Sequence, residues 1–155
     1  MLGEQYTEVS GKITGQRVLD VEGPTIETSV SATGTMKGVP VQEMLTFIGT
    51  PTTEKGVIHG VGKGVIITVG DAVEGEEPEM VSFTGEGIGR LGTGGSTKWR
   101  GSVFTRKQYY SKTSGQTPSS SEGGVKLSFL NNMVGLFESE IDAAGNFYEK
   151  AWEWK

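Results

Sequence analysis

The sequence predicts an all-β domain, a single antiparallel meander of about eight long strands closing into a small barrel. Three observations lead there. No segment of helical length carries an apolar repeat of 3.6 residues, whereas alternation with a period of two recurs between clusters of Gly, Pro, Asp and Ser. The strand-like runs are long, many of them about 10–14 residues, with mostly short gaps between them, so successive strands should pair as antiparallel neighbours. Glycine makes up 25 of the 155 residues, more than twice the usual ~7%, and much of it falls inside the runs. Interior glycine marks strong bending or close backbone approach, and closure removes the edges a meander would otherwise expose. An immunoglobulin-like sandwich is the alternative, but its strands are usually shorter and hold fewer interior glycines.

The first strand is expected near Tyr6–Leu19, broken by Gly11 and Gly15 and ended by Asp20-Val-Glu-Gly-Pro24. The second spans Thr25–Met36, where Ile26, Val30, Ala32 and Met36 share a face with Thr28 and Gly34. The third, Val39–Gly49, sets Val39, Val41, Leu45 and Phe47 on one side, and the loop Thr50–Lys55 follows. The fourth is Gly56–Val69 with Gly60, Gly62 and Gly64 inside it; the fifth is Glu79–Leu91 with Gly85, Gly87 and Gly89. The sixth is Thr97–Tyr110. The seventh region, Val125–Ile141, is interrupted at Asn131-Asn132, and the eighth is Phe147–Trp154. Asp142-Ala-Ala-Gly-Asn146 reads as a hairpin loop, with Gly or Asn taking positive φ. The acidic Gly70–Pro78 and the Ser-rich Ser111–Gly124 read as flexible hairpin tips; the second holds no large apolar residue to offset its ordering entropy, and a functional lid is the alternative reading of it. No linker divides the chain, so residues 1–155 form one domain.

Composition excludes several function classes. With no Cys there is no disulfide framework and no thiolate zinc site, and a single His removes most His-rich metal sites, so no metal or cofactor is expected. A net charge of −5 and a pI near 5.0 lack the basic footprint of a nucleic-acid binder. The N-terminal segment shows neither a basic n-region nor an apolar run, and no stretch nears the roughly 18 apolar residues of a membrane helix, so a cytoplasmic protein without a membrane partner is expected.

A meander of about eight long strands with G-x-G-x-G runs and no helix resembles the allene oxide cyclase barrel-like group of small calycin-type proteins, which includes bacterial families of unknown function. The resemblance lies in the pattern of the whole chain. It implies a barrel interior able to take a small apolar molecule, and, in the plant enzyme of that group, cyclisation of an epoxide without a cofactor. No signature of that enzyme stands in this sequence, so none of its residues carries over. Lipocalins are a sibling pattern, but their G-x-W near the N-terminus is missing: the tryptophans are Trp99, Trp152 and Trp154.

Most short motifs dissolve on inspection. Gly87-Ile-Gly89-Arg-Leu-Gly92 matches G-x-G-x-x-G, but a strand rather than a helix follows, so no helix N-terminus is there to hold a pyrophosphate. Gly62-Lys63 lacks the remainder of a P-loop, and there is no G-x-S-x-G elbow. Glu54, Glu74, Glu76, Glu77 and Glu79 read as an acidic rim, and Glu138 and Glu140 as solvent-facing. On the last strand the aromatic set Tyr148, Trp152 and Trp154 is the expected inward face, leaving Glu149 and Glu153 outside; the alternative is that the amphipathic tryptophans cover an oligomer interface. Arg100, Phe104 and Arg106 share a face that is expected to be solvated; anion binding there is a weaker reading at this net charge.

His59 is the most informative single residue, because Val57, His59, Val61, Lys63, Val65 and Ile67 form an otherwise apolar face. A hairpin centred near Thr53 sets Phe47 opposite His59 and Glu43 opposite Lys63, a charge-matched pair able to go into an apolar interior together. Hairpins centred near Glu74 and Gly94 place Gly89 opposite His59 and Trp99 opposite Gly89. Phe47, His59, Gly89 and Trp99 would then line one level of the barrel, with Glu43 and Lys63 nearby, as a small-ligand niche. The alternative is a core histidine satisfied by a backbone carbonyl, with glycine present only for curvature.

Two functions follow. One is a barrel that binds a small, mainly apolar molecule, with His59 as base or anchor if the protein is a cofactor-free isomerase or cyclase. The other is a non-catalytic structural or self-associating module with a filled interior. A homodimer or small homo-oligomer is expected in either case, because Phe104, Ile58 and Ile66 fall on the outer face of this register.

Overall fold

The computed structural model describes residues 1–70, 78–107 and 126–155. The Ser111–Gly124 loop, the body of the Gly70–Pro78 tip, and Tyr109 and Tyr110 lie outside the described residues. Eight strands follow in order: β1 (Leu2–Asp20), β2 (Thr25–Met36), β3 (Val39–Pro51), β4 (Val57–Thr68), β5 (Met80–Leu91), β6 (Thr97–Lys107), β7 (Met133–Ile141) and β8 (Asn146–Trp154). Each pairs antiparallel with the next, and β1 pairs with β8 from Leu2↔Trp154 to Lys12↔Asn146, which closes the barrel. Among the described residues the helical turns are two short 3₁₀ segments, Thr93–Gly95 and Ser128–Leu130.

Alternation explains the core. Thr28, Val30, Ala32 and Met36 of β2 point inward, with Val41 and Glu43 of β3, Val81 and Phe83 of β5, Trp99 and Thr105 of β6, and Phe147 and Ala151 of β8. On β1 the consecutive residues Tyr6 and Thr7 are both buried, because the register slips between Gln5 and Thr7. Such a bulge turns two neighbours toward one side.

Glycine makes room for the large side chains. A Cβ on Gly60 would stand 2.6 Å from Trp99 Cζ3, and one on Gly89 would stand 2.7 Å from Trp99 Cε2. The indole therefore lies flush against the bare backbones of β4 and β5. Gly64 leaves the same room for Phe83, and Gly101 for Phe137.

One end of the barrel is closed by the segment before β7. Leu127 and Leu130 are fully buried. Phe129 meets Tyr6 edge-on at 6.5 Å and lies under the Lys37 ammonium at 5.0 Å. The Glu79 carboxylate accepts the backbone N–H groups of Lys126 and Leu127 at 3.2 and 3.1 Å, and the Thr105 hydroxyl donates to the Leu130 carbonyl. The interruption expected at Asn131-Asn132 is thus the hinge between plug and strand, with Asn132 at φ 55°.

The register of β4 differs from the sequence expectation. β3 runs on to Pro51, and the turn is centred between Glu54 and Lys55: Pro51 pairs with Ile58, Thr52 N–H reaches the Val57 carbonyl at 3.0 Å, and Gly56 takes φ 77°. Glu43 therefore faces Ile66 instead of Lys63, three positions on. An odd displacement exchanges the two faces of a strand. His59 and Lys63 consequently point outward, while Ile66 is buried at 3% exposure and Ile58 packs inside against Gly49. The outer-face placement of Ile58 and Ile66 is corrected by the same displacement; Phe104 does lie outside, 53% exposed.

The last strand is also reversed. Phe147, Glu149 and Ala151 face inward, and Tyr148 and Trp154 are exposed. Ala151 pairs with Phe137 and Thr7. With Phe83, Trp99 and Phe137 already reaching into the lumen, this wall takes the smaller set Phe147, Glu149 and Ala151 and has no space for two more indoles.

Candidate functional site: a carboxyl pair in the lumen

A cavity of about 70 Å³ runs through the barrel interior. At roughly 10–15 Å³ for each water-sized group, it has room for about five. Its wall is largely aromatic and aliphatic: Phe47, Phe83, Trp99, Phe137 and Phe147, with Leu45, Ile66 and Val103. Phe47 and Trp99 meet edge-on with ring centroids 5.3 Å apart.

Two carboxyl groups enter this apolar space. Glu43 comes from β3, between the inward residues Val41 and Leu45, and is 2% exposed. Glu149 comes from β8, three strands away around the wall, and also lines the cavity. The two side chains hydrogen-bond to each other, which requires a proton on one of them. Burial is the first cause of a raised affinity for protons at both. It carries Glu43 from the ordinary 4.5 to about 7 against a smaller opposing effect of the Glu149 hydrogen bond. Glu149 is pushed well above the ordinary range by burial, then by the charge and hydrogen bond of Glu43. The pair therefore passes from two protons to one around neutrality, with Glu149 retaining the proton. Tyr6 lies close by: its phenol is pushed up by burial first, then by the charges of Glu149, Glu43 and Glu153.

Two buried polar atoms find no partner among the described residues, Glu43 Oε1 and Trp99 Nε1. Such atoms cost about 1–3 kcal/mol each when left without a hydrogen bond, and both belong to side chains that line the cavity. No Lys, Arg or His stands among the lining residues, so no cation of the described chain opposes the carboxyls. No group of three or more metal-binding side chains occurs among the described residues.

Of the residues singled out from sequence, Phe47, Gly89, Trp99 and Glu43 face the interior, and Trp99 does pair with Gly89. His59 and Lys63 do not join them. His59 pairs with Thr50 and Ile88, and its Nε2 lies 2.5 Å from Glu86 Oε1 on the outside, with the two side chains 40% and 64% exposed. Phe47 faces Gly62, and Gly89 faces Ile58. Lys63 sits between Thr46 and Thr84, so the Glu43–Lys63 pair is replaced by Glu43–Glu149. Glu149 was missed because Tyr148, Trp152 and Trp154 outweigh it as an inward set. The signal that could have found it is Lys150, which shares that aromatic face and prefers water. On the outer wall Arg100 meets Glu138 at 3.2 Å, both exposed, as a solvated face requires.

No protein-family model matches the chain, and neither a curated protein nor a solved structure matches it. No described helix is long and apolar enough to cross a membrane.

Proposed function

We propose that the protein binds a small, mainly apolar molecule inside the barrel. One observation carries this reading. The cavity joins an aromatic wall to two side-chain atoms, Glu43 Oε1 and Trp99 Nε1, that the described chain leaves without partners. A ligand with a donor head and a short hydrocarbon body would complete the Glu43 oxygen and pack against the rings. The whole-chain resemblance to allene oxide cyclase-like barrels agrees with an interior site and adds no residue to it. A carboxyl pair that titrates near neutrality is also equipped to take a proton from one position of a ligand and return it at another, as cofactor-free isomerisation requires. His59 has no part in that step from the outer wall.

The test is nuclear magnetic resonance with xenon and with isobutanol. Shifts confined to Val103, Ile66 and Ala151, which line the cavity, are the expected result. Unchanged spectra at saturating concentration would refute the reading.

A second reading, a self-associating module with a filled interior, is favoured by two observations. The cavity is smaller than the ~300 Å³ at which ordinary ligand pockets begin. The outer wall exposes Met44, Ile48, Val61, Ile88 and Phe104, and Ile48 and Val61 are direct cross-strand partners. Light scattering at micromolar concentration tests it: a clean monomer mass would dismiss this reading, and an assembly that leaves the xenon and isobutanol spectra unchanged would favour it over the first.

A further inference from the structure

We infer that the lumen selects a small alkylammonium ion, bound with its nitrogen at the Glu43–Glu149 carboxyls and its hydrocarbon body against the Phe47–Trp99 wall. The inference rests on the interior-site reading and narrows it to one class of ligand.

Three features of the cavity point to a cation. First, the ionisable side chains that line it are the carboxyls of Glu43, Glu149 and Glu86 and the Tyr6 phenol, with hydroxyls of Thr7, Thr105 and Ser139 and no basic group, so an anionic head would meet like charge. Second, Glu43 is all but fully buried and still has an oxygen without a donor. An ammonium brings three donors and no acceptor, which suits that oxygen and the acceptor capacity of Glu149. Third, the adjoining wall is aromatic, and ring faces attract a desolvated cation. Phe47 and Trp99 meet edge-on at 5.3 Å, and both line the cavity.

Charge balance favours the same class. Above the titration of Glu43 near 7, the pair carries one negative charge and one proton. One ammonium then makes the buried site neutral. Below that point the pair holds two protons and is already neutral, so binding must release one proton from Glu43 to solvent. The other titratable residues that line the cavity are Tyr6, whose phenol stays protonated throughout and also feels the charge of Glu153, and Glu86, whose carboxylate reaches outward to His59. An alkylammonium keeps its own proton well above neutrality, as lysine does. Affinity should therefore rise about tenfold per pH unit up to about 7 and level off beyond it.

Size sets the probes. Room for about five water-sized groups matches isobutylamine, with isobutanol as its neutral and isobutyrate as its anionic counterpart. The experiment titrates each into the full-length protein at pH 5.5, 6.5, 7.5 and 8.5, read by thermal shift and by isothermal calorimetry in two buffers of different ionisation enthalpy. The expected result is saturable binding of isobutylamine, at least tenfold weaker binding of isobutanol and none of isobutyrate. Proton release should be seen at pH 5.5 and none at 8.5. Glu43→Gln should remove the preference for amine over alcohol while leaving isobutanol binding in place, which also shows that the variant is folded. Equal binding of isobutylamine and isobutanol, or an affinity for amine that is flat with pH, would overturn the cation inference and leave the interior site standing. Failure of all three probes would overturn both.

Discussion

The carboxyl pair has a consequence for stability that can be worked from its environment. Burial carries Glu43 from 4.5 to about 7, and each pH unit of such a difference is worth 1.36 kcal/mol. Ionising Glu43 inside the barrel therefore costs the fold about 3 kcal/mol relative to the unfolded chain. The sign follows from proton uptake. The folded state holds this proton more tightly, so the favourable contribution is full below about pH 4.5, falls as pH rises through about 7, and is gone above it. In the double variant Glu43→Gln/Glu149→Gln neither group titrates. Between pH 4.5 and 8 the wild type should lose at least about 3 kcal/mol more than the variant, the share of Glu43 alone, because Glu149 is also pushed well above the ordinary range and adds to the loss in the same direction. For a domain of this length that is roughly 6–12 °C in melting temperature. Thermal melts followed by circular dichroism across that range measure it directly. The exposed carboxyls are common to both proteins and cancel in the difference. Parallel melting curves would refute the reasoning, because they would place both carboxyls in water.

Gly89→Ala drives a methyl into the Trp99 ring, at 2.7 Å from Cε2, and should cost about 1–3 kcal/mol by overpacking, seen as a lower urea midpoint with an unchanged slope. Leu130→Ala empties the plug at one barrel end, where Leu130 is fully buried. A loss of about 2–5 kcal/mol is expected in chemical denaturation. His59→Ala removes an exposed contact with Glu86 on the outer wall and should change stability by no more than about 0.5 kcal/mol; a large drop in melting temperature would return the histidine to the core. Asp142 accepts hydrogen bonds from Ala144 N–H and from Asn146 through both its backbone N–H and its side-chain amide, which holds its carboxyl below the ordinary 3.8. Its contribution is present above that value and lost as pH falls through the lowered one, so Asp142→Ala should weaken the protein at neutral pH and converge with the wild type in strong acid, as acid-titrated melts can show.

The sequence by itself determined the architecture. Period-two alternation, short connections and interior glycines specify a meander, and a meander of eight long twisted strands removes its edges by closing. The bounds of β2 could be read directly, and so could the inward sets of β2 and β3 apart from Ile26, which shares the β2 face but is exposed near the strand's end, because Val30, Ala32 and Met36, like Val41, Leu45 and Phe47, leave no ambiguity about which face is apolar. The pairing of Gly89 with Trp99 was likewise legible, since the Gly92–Ser96 connection is short and ends on a direct backbone bond of 2.8 Å from Gly92 N–H to the Ser96 carbonyl.

Tertiary structure decided which face of β4 and β8 turns inward. On β4 both faces are apolar enough to pass: Val57, Val61 and Val65 on one, Gly60, Gly62, Gly64 and Ile66 on the other. The choice lies with a turn whose centre moves from Thr53 to between Glu54 and Lys55, and with the width of Trp99, which fits only against bare glycine backbone. On β8 the aromatic residues compete with Phe147 and Ala151, and the lumen, already occupied by rings from β5, β6 and β7, takes the smaller set. Glu149 is carried inside with that set and meets Glu43 across the barrel. No local pattern could announce that meeting, because residues 43 and 149 come together only when the sheet has closed on itself.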